Sequence, residues 1–359
     1  SNLPIRFFEL NKGRKHLEEV YMKKSIILGI FAAVGLTAGM ATAGTLDDVK
    51  AKGFVQCGVS TGAPGFAFPN DAGEWAGLDV DYCRALASAI FNDPKAVKFT
   101  PLSSAVRFTA LGSGEVDILA RNTTWTYSRD TDLKQTFLGV NYYDGQGFMV
   151  KKDLGVNSTL ELDGATVCIQ VGTTTELNLA DYFKANGMSY DPVPTSDNAE
   201  SQQQYLAGAC DAYTTDASAL YGTRANLEVP GDHVVLPEII SKEPLGPLVR
   251  HGDDQWADIG RWVLNAMVIA EEKGITSSNI DSFGDSKDAE IHRLLGTGES
   301  DLGAMTGLPK DALYNSIKHV GNYAEIFERN LGEATGININ RGLNELWTNG
   351  GILYSPPYR

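Results

Sequence analysis

Three groups of residues have the types and spacing for ligand chemistry. Arg129 closes the polar run Arg121–Ser128 at the end of a β-rich stretch. A guanidinium there can grip a carboxylate through two parallel hydrogen bonds. Thr174 and Thr175 open a helix, where free N–H groups and the helix dipole favour an anion. Asp216 ends a β-rich run in the second half of the chain and is placed to hold an ammonium. A basic clamp and an acid facing each other suit a zwitterion such as an α-amino acid. Each residue also has an ordinary reading: a surface ion pair for Arg129, a helix N-cap for Asp216, caps for Thr173–Thr175. The combination is what points to binding.

Other chemistries find less support. Gly58, Ser60 and Gly62 match the G-x-S-x-G nucleophile pattern, but the loop Ala63–Phe66 follows where a helix is required. The five histidines, His16, His233, His251, His292 and His319, form no H-x-H or H-x-x-x-H pair, so no metal site is expected. No phosphate-cradling glycine motif occurs, and no cofactor is expected. The formal net charge of -15 would repel a phosphate backbone, which excludes nucleic acid as a partner.

The elements that would position these residues alternate, β-run then amphipathic helix, and this argues an α/β fold. Strands are expected at Phe54–Val59, Val116–Ala120, Phe148–Val150, Ala165–Val171 and Val234–Ile240. Asp79 is expected to cap a helix carrying Val80, Cys83, Leu86, Ala87 and Ile90 on one face. A short helix is expected from Ala105 to Leu111, ending at Gly112, and another from Leu177 to Ala185 behind a capping box at Thr173–Glu176. Further helices are expected at Gln202–Leu206, Trp256–Glu272 and Asp311–Val320. The stretch Leu111–Asp117 is echoed by Leu206–Asp211, which suggests two similar units.

Met22–Lys24, the apolar run Ile26–Leu36 and the small residues Ala41–Ala43 read in order as a cleaved signal peptide. Residues 1–21 precede Met22 and are set aside. The first 43 residues carry six Lys/Arg and three Asp/Glu, so the remainder carries about -18. Cys57, Cys83, Cys168 and Cys210 all follow the cleavage point. An oxidising compartment permits two disulfides, and three pairings are open.

The segments Gly77–Asp81, Leu111–Asp117, the Thr126–Arg129 loop, Gly172–Thr174 and the Asp216 region together resemble, in order, the polar-amino-acid solute-binding proteins of bacterial ABC importers. With Val320–Leu331 and Trp347–Tyr354 included, the chain resembles in particular the general L-amino-acid-binding periplasmic proteins. The resemblance implies a two-lobe, hinged α/β fold of the periplasmic-binding-protein type II, closing on its ligand. The first lobe would comprise 44–144 and 244–359, the latter with a helical extension, and the second 145–243. Crossings would fall near Asp144–Gly147 and Ile240–Leu245.

It further implies an α-carboxylate clamp at Arg129, with Thr124 and Asn122 completing the α-group contacts, helix-start contacts from Thr174 and Thr175, and an α-ammonium partner at Asp216. Phe66 would wall the pocket. Arg107 would reach a side-chain carboxylate. Pairing Cys57 with Cys83 and Cys168 with Cys210 would keep each bridge within one lobe and leave closure free. The implied function is periplasmic capture of L-α-amino acids, broad but favouring glutamate, glutamine, aspartate and asparagine. The implied partners are a membrane permease and its ATPase, with the protein itself a monomer. A periplasmic enzyme on the same fold, such as a dehydratase, would need a general acid or base over the substrate. The α-group set leaves no such surplus residue, and Glu74 and His233 are the ones that could fold into the cleft.

Overall fold

The computed structural model describes residues 44–359. The expected signal peptide and its cleavage site lie outside the described residues. Among the described residues no helix is long and apolar enough to cross a membrane.

Two five-stranded sheets carry the fold. The first runs in the order Val97–Leu102, Val55–Ser60, Ile118–Leu119, Leu248–Arg250, Gln135–Phe137. The second runs Tyr190–Thr195, Ala165–Gln170, Ala212–Asp216, Gln146–Lys151, His233–Val235. In each, the first three strands are parallel, the fourth is antiparallel to them, and the fifth pairs antiparallel with the fourth and so runs with the first three. Covering by helices buries the central strands, and Val55–Ser60 exposes only part of Gln56. The echo between the halves has a physical counterpart. Asp117 accepts from Gln56 N–H at 2.6 Å, and Asp211 accepts from Thr166 N–H at 2.9 Å. Each aspartate thus steadies the strand beside its own.

Helices appear where apolar periodicity places them, with shifted ends. The long helix runs Asp254–Glu272, capped by Asp253, and buries Trp256, Ile259, Val263, Met267 and Ala270. The short helix is Arg107–Ser113 and ends on Gly114, two residues beyond the expected stop. Thr173 caps the helix Thr174–Ala185 by accepting from Glu176 N–H. Asp79 is not a cap. Gly77 holds that position before Leu78–Phe91, with φ of 137°, and a Cβ there would stand 2.0 Å from Phe66 O. Asp79 falls in the first turn, 1% exposed.

The chain passes between the sheets through Tyr142–Asp144 and Glu243–Leu245, which pair antiparallel as a separate two-stranded ribbon. The C-terminal helices Ala312–Val320 and Tyr323–Leu331 pack on Leu78–Phe91. Ser316 Oγ–H donates to Ala85 O, and Arg329 and Asn330 donate to buried Asp81. The disulfides are Cys57–Cys83, within the first sheet's layers, and Cys168–Cys210, within the second's.

Candidate functional site

In open α/β sheets ligands bind beyond the carboxyl ends of the parallel strands. Both sheets turn those ends toward one shared cleft. Ser104 and Arg107 follow Val97–Leu102, and Arg121, Asn122 and Thr124 follow Ile118–Leu119. From the other side come Gln170 and Thr173–Thr175 after Ala165–Gln170, and Thr215 and Asp216 at the end of Ala212–Asp216. These residues line a cavity of ≈ 20 Å³, about the room one water needs. The two sides are thus drawn closely together over it.

Of the eight residues expected at the site, six line this cavity: Arg107, Asn122, Thr124, Thr174, Thr175 and Asp216. Arg129 lies just behind them. It is 7% exposed, so it is no surface ion pair, and its Nη1 donates to Thr124 O at 2.9 Å. Phe66 is a correction. It is not among the lining residues but sits in the first lobe's core, edge-on to Tyr142 at 5.2 Å. Phe108, also outside the lining, lies under both Arg107 and Arg129, at 4.9 and 5.1 Å.

The electrostatics are those of charges gathered out of water. Burial, reinforced by Arg121 and Arg129, pushes Arg107 well below its ordinary value. Its Nε has no hydrogen-bond partner among the described residues. Burial lowers Arg121 and Arg129 to about 10 each, with Asp216 among the acids opposing the shift in both. Asp216 is pushed well above the carboxylate range by burial and by Asp144 and Glu243. It occupies the N-cap position of Ala217–Ala225, yet its side chain caps nothing. Buried charges without full pairing are costly. A carboxylate beside the guanidiniums and an ammonium beside Asp216 would relieve both groups.

Sequence reasoning gave no site role to Arg121, Asp79, Gln170 or Glu243. Arg121 donates to Leu102 O at 2.9 Å and to Ser104 Oγ at 3.1 Å, which sets the floor of the first-lobe side. Asn122 takes a φ of 36°, unusual for a residue with a side chain, while its N–H donates to Asp79 at 2.7 Å. Asp79 also accepts from Asn141 at 2.8 Å, and burial raises it to about 6. Gln170 is held by Asn198 at 2.8 Å. Glu243, on the second crossover and 1% exposed, accepts from both Thr124 and Thr174. It also accepts from Asn178 and Ser241, at 2.7 Å each. The charged residue inside the Lys242–Pro244 break was its only trace in the sequence.

The lobes meet at small residues. A Cβ on Gly222 would stand 2.7 Å from Pro64 O, and one on Gly172 3.5 Å from the Cα of Ala105. Asn198 donates to Gly62 O at 3.2 Å. Glu74 and His233 are not at the cleft. Glu74 is exposed beside the Trp75–Ala76 strand, and His233 bonds the Tyr205 hydroxyl at 2.8 Å inside the second lobe. Ser60 is buried at its strand end and is followed by a turn, not a helix.

Two sheets joined by a double crossover, with a charged cleft at their strand ends, define a two-lobe periplasmic binding protein. Residues 55–279 match the family of bacterial extracellular solute-binding proteins, family 3, and the chain belongs to it. It is 57% identical, over 94% of its length and 100% of the relative's, to the glutamate/glutamine/aspartate/asparagine-binding protein BztA of Rhodobacter capsulatus. It is 58% identical, over 91% of its length and 96% of the relative's, to the general L-amino acid-binding periplasmic protein AapJ of Rhizobium johnstonii. A solved periplasmic binding protein from Brucella ovis, with glutathione bound, superposes with a TM-score of 0.86 at 59% identity. That match covers 88% of this chain and 100% of the other. The cysteine-binding protein from Campylobacter jejuni shares the fold, with a TM-score of 0.58 at 24% identity over 69% of this chain and 98% of that one.

Proposed function

We propose that the protein captures L-α-amino acids in the periplasm, as a monomer, and delivers them to the permease and ATPase of an ABC importer. One observation carries this reading: the guanidiniums of Arg107 and Arg121, with Arg129 just behind them, and the carboxylate of Asp216, which caps nothing, converge, buried, from the two sides of one cleft. Arg129, with Thr124 and the Thr174–Thr175 helix start, holds the α-carboxylate. Asp216 and Asn122 hold the α-ammonium. Arg107 takes a side-chain carboxylate or amide oxygen, which favours glutamate, glutamine, aspartate and asparagine. The names of the Rhodobacter and Rhizobium relatives support the class of ligand. The glutathione of the Brucella protein ends in a free α-amino acid group at its γ-glutamyl residue, the same zwitterion. The lobes on this reading are 44–144 with 244–359, and 145–243. The basic, apolar and small-residue order of 22–43 fits export.

Calorimetry with glutamate, glutamine and leucine tests the roles. Arg129→Met and Asp216→Asn should weaken all three ligands, by about 2–5 kcal/mol each. Arg107→Met should weaken glutamate far more than leucine. Tight binding retained in Arg129→Met would remove the clamp and most of the proposal with it.

A further inference from the structure

The C-terminal extension reaches the crossover strand Tyr142–Asp144. Tyr143 stands opposite Pro244. Proline has no N–H, so this pair exchanges no ladder hydrogen bonds, and the N–H and C=O of Tyr143 point away from the partner strand. Asn344 meets both. Tyr143 N–H donates to Asn344 Oδ1 at 2.7 Å, and Asn344 Nδ2 donates to Tyr143 O at 3.0 Å. One side chain thus replaces a missing neighbour strand.

Asn344 is itself fixed. It is 3% exposed, and its carbonyl accepts from Arg341 Nε and Nη2 at 3.1 and 2.8 Å. Arg341 makes a two-pronged ion pair with Glu271 of the long first-lobe helix, at 2.6 and 3.0 Å. It also lies over the rings of Tyr323 and Phe327. The Tyr323 hydroxyl donates to Asn141 O at 2.7 Å, one residue before the strand. One residue after Tyr143 the attachments change lobe. Asp144 accepts from the N–H and Oγ–H of Ser218, at the start of the second-lobe helix Ala217–Ala225.

We propose that Asn344 is a positioning residue for ligand capture: it fixes Tyr143 to the first lobe, so the lobes turn about Tyr143–Gly145 and open only to a limited angle. This rests on the reading that the lobes close on an amino acid. Asn344 hydrogen-bonds to no residue lining the cavity, so its effect reaches the ligand through the crossover.

The test compares the full protein with Asn344→Leu, of similar size without hydrogen bonds, and Asn344→Asp, which keeps only the acceptor. Amide exchange of Tyr142–Gly145 and the radius of gyration are measured without ligand, and affinities for glutamate, glutamine and leucine by calorimetry. In Asn344→Leu the segment should exchange faster and the radius should grow. All three affinities should fall by the same factor, roughly five- to tenfold, the value of about one net hydrogen bond moved onto the closing equilibrium. Asn344→Asp should fall between. Unchanged exchange and radius in either folded variant would overturn the proposal, as would a loss that differs between ligands. If the unaltered protein binds none of the three, the reading of the function fails instead, and exchange and scattering still decide the role of Asn344.

Discussion

Gly222 offers an unusual perturbation, because one methyl group should move two quantities in opposite directions. It lies in the helix Ala217–Ala225 of the second lobe, and the atom nearest an added Cβ is the backbone oxygen of Pro64, 2.7 Å away in the first lobe. The next are Pro64 Cβ and C, at 3.3 and 3.4 Å. A backbone oxygen cannot swing aside like a side-chain tip, so the lobes must part by several tenths of an ångström. That overpacking costs about 1–3 kcal/mol. It falls only on the closed arrangement, since separated lobes bring no Pro64 near the helix. The same methyl group favours the helix by about 0.8–1 kcal/mol relative to glycine. Gly222→Ala should therefore raise the unfolding midpoint of the unliganded protein slightly, while glutamate binding weakens by roughly five- to a hundredfold. Thermal unfolding without ligand and calorimetry with it read the two effects. Unchanged affinity, or a fall in stability alone, would show that the Gly222–Pro64 contact does not limit closure.

Three further outcomes are expected. Burial pushes Asp144 up to about 6 against the pull of its hydrogen bonds from Ser218 and Gly145. Its folded value lies above its unfolded one, so its contribution is fully present below about pH 4 and is lost as pH rises through about 6, roughly 3 kcal/mol. Asp144→Asn should remove its share of the fall in urea-unfolding stability across that window and leave that of Asp79, which burial also raises to about 6, and an unaltered profile would count against the assignment. Gly77→Ala, whose Cβ would meet Phe66 O at 2.0 Å with φ of 137°, should destabilise by more than about 3 kcal/mol; an unchanged urea midpoint would contradict the close approach. The bridges close separations of 26 and 42 residues, and loss of each should cost roughly 3–4 kcal/mol in the chain-entropy view. Non-reducing peptide mapping should find only Cys57–Cys83 and Cys168–Cys210, and any lobe-to-lobe peptide would refute the pairing.

The part of the site legible in the sequence is the part that follows strands directly. Arg107, Asn122, Thr124, Thr174, Thr175 and Asp216 sit just beyond or at β-rich runs, where α/β topology places ligands. Glu243 was not legible, because a glutamate between Lys242 and Pro244 looks like a solvated charge. Its burial depends on Thr124, Thr174 and Asn178, which lie 65 to 119 residues earlier. Asp79 misled because an aspartate before an apolar run has the signature of a cap, while the actual start is set by the positive φ of Gly77. Phe66 misled for a related reason: an aromatic beside a loop suits a pocket wall or a core, and contact with Tyr142 decides for the core. The use of the extension was hidden because Asn344 bonds a residue 201 positions away.

The three buried guanidiniums of the cleft sit inside a chain of formal net charge -15. Beyond a Debye length of about 10 Å at 0.1 M salt an approaching molecule feels little of either charge set. In dilute salt the acidic exterior is felt first, and the guanidiniums only at the mouth. The ligands with a single net negative charge, glutamate and aspartate, are then slowed on approach, whereas glutamine, with no net charge, meets no net force. Added salt should thus quicken the arrival of glutamate and leave that of glutamine nearly constant, the reverse of ordinary electrostatic steering. Breadth of ligand choice in such a protein would then be partly a matter of encounter rates, set by ionic strength outside the cell, and not of cleft contacts alone.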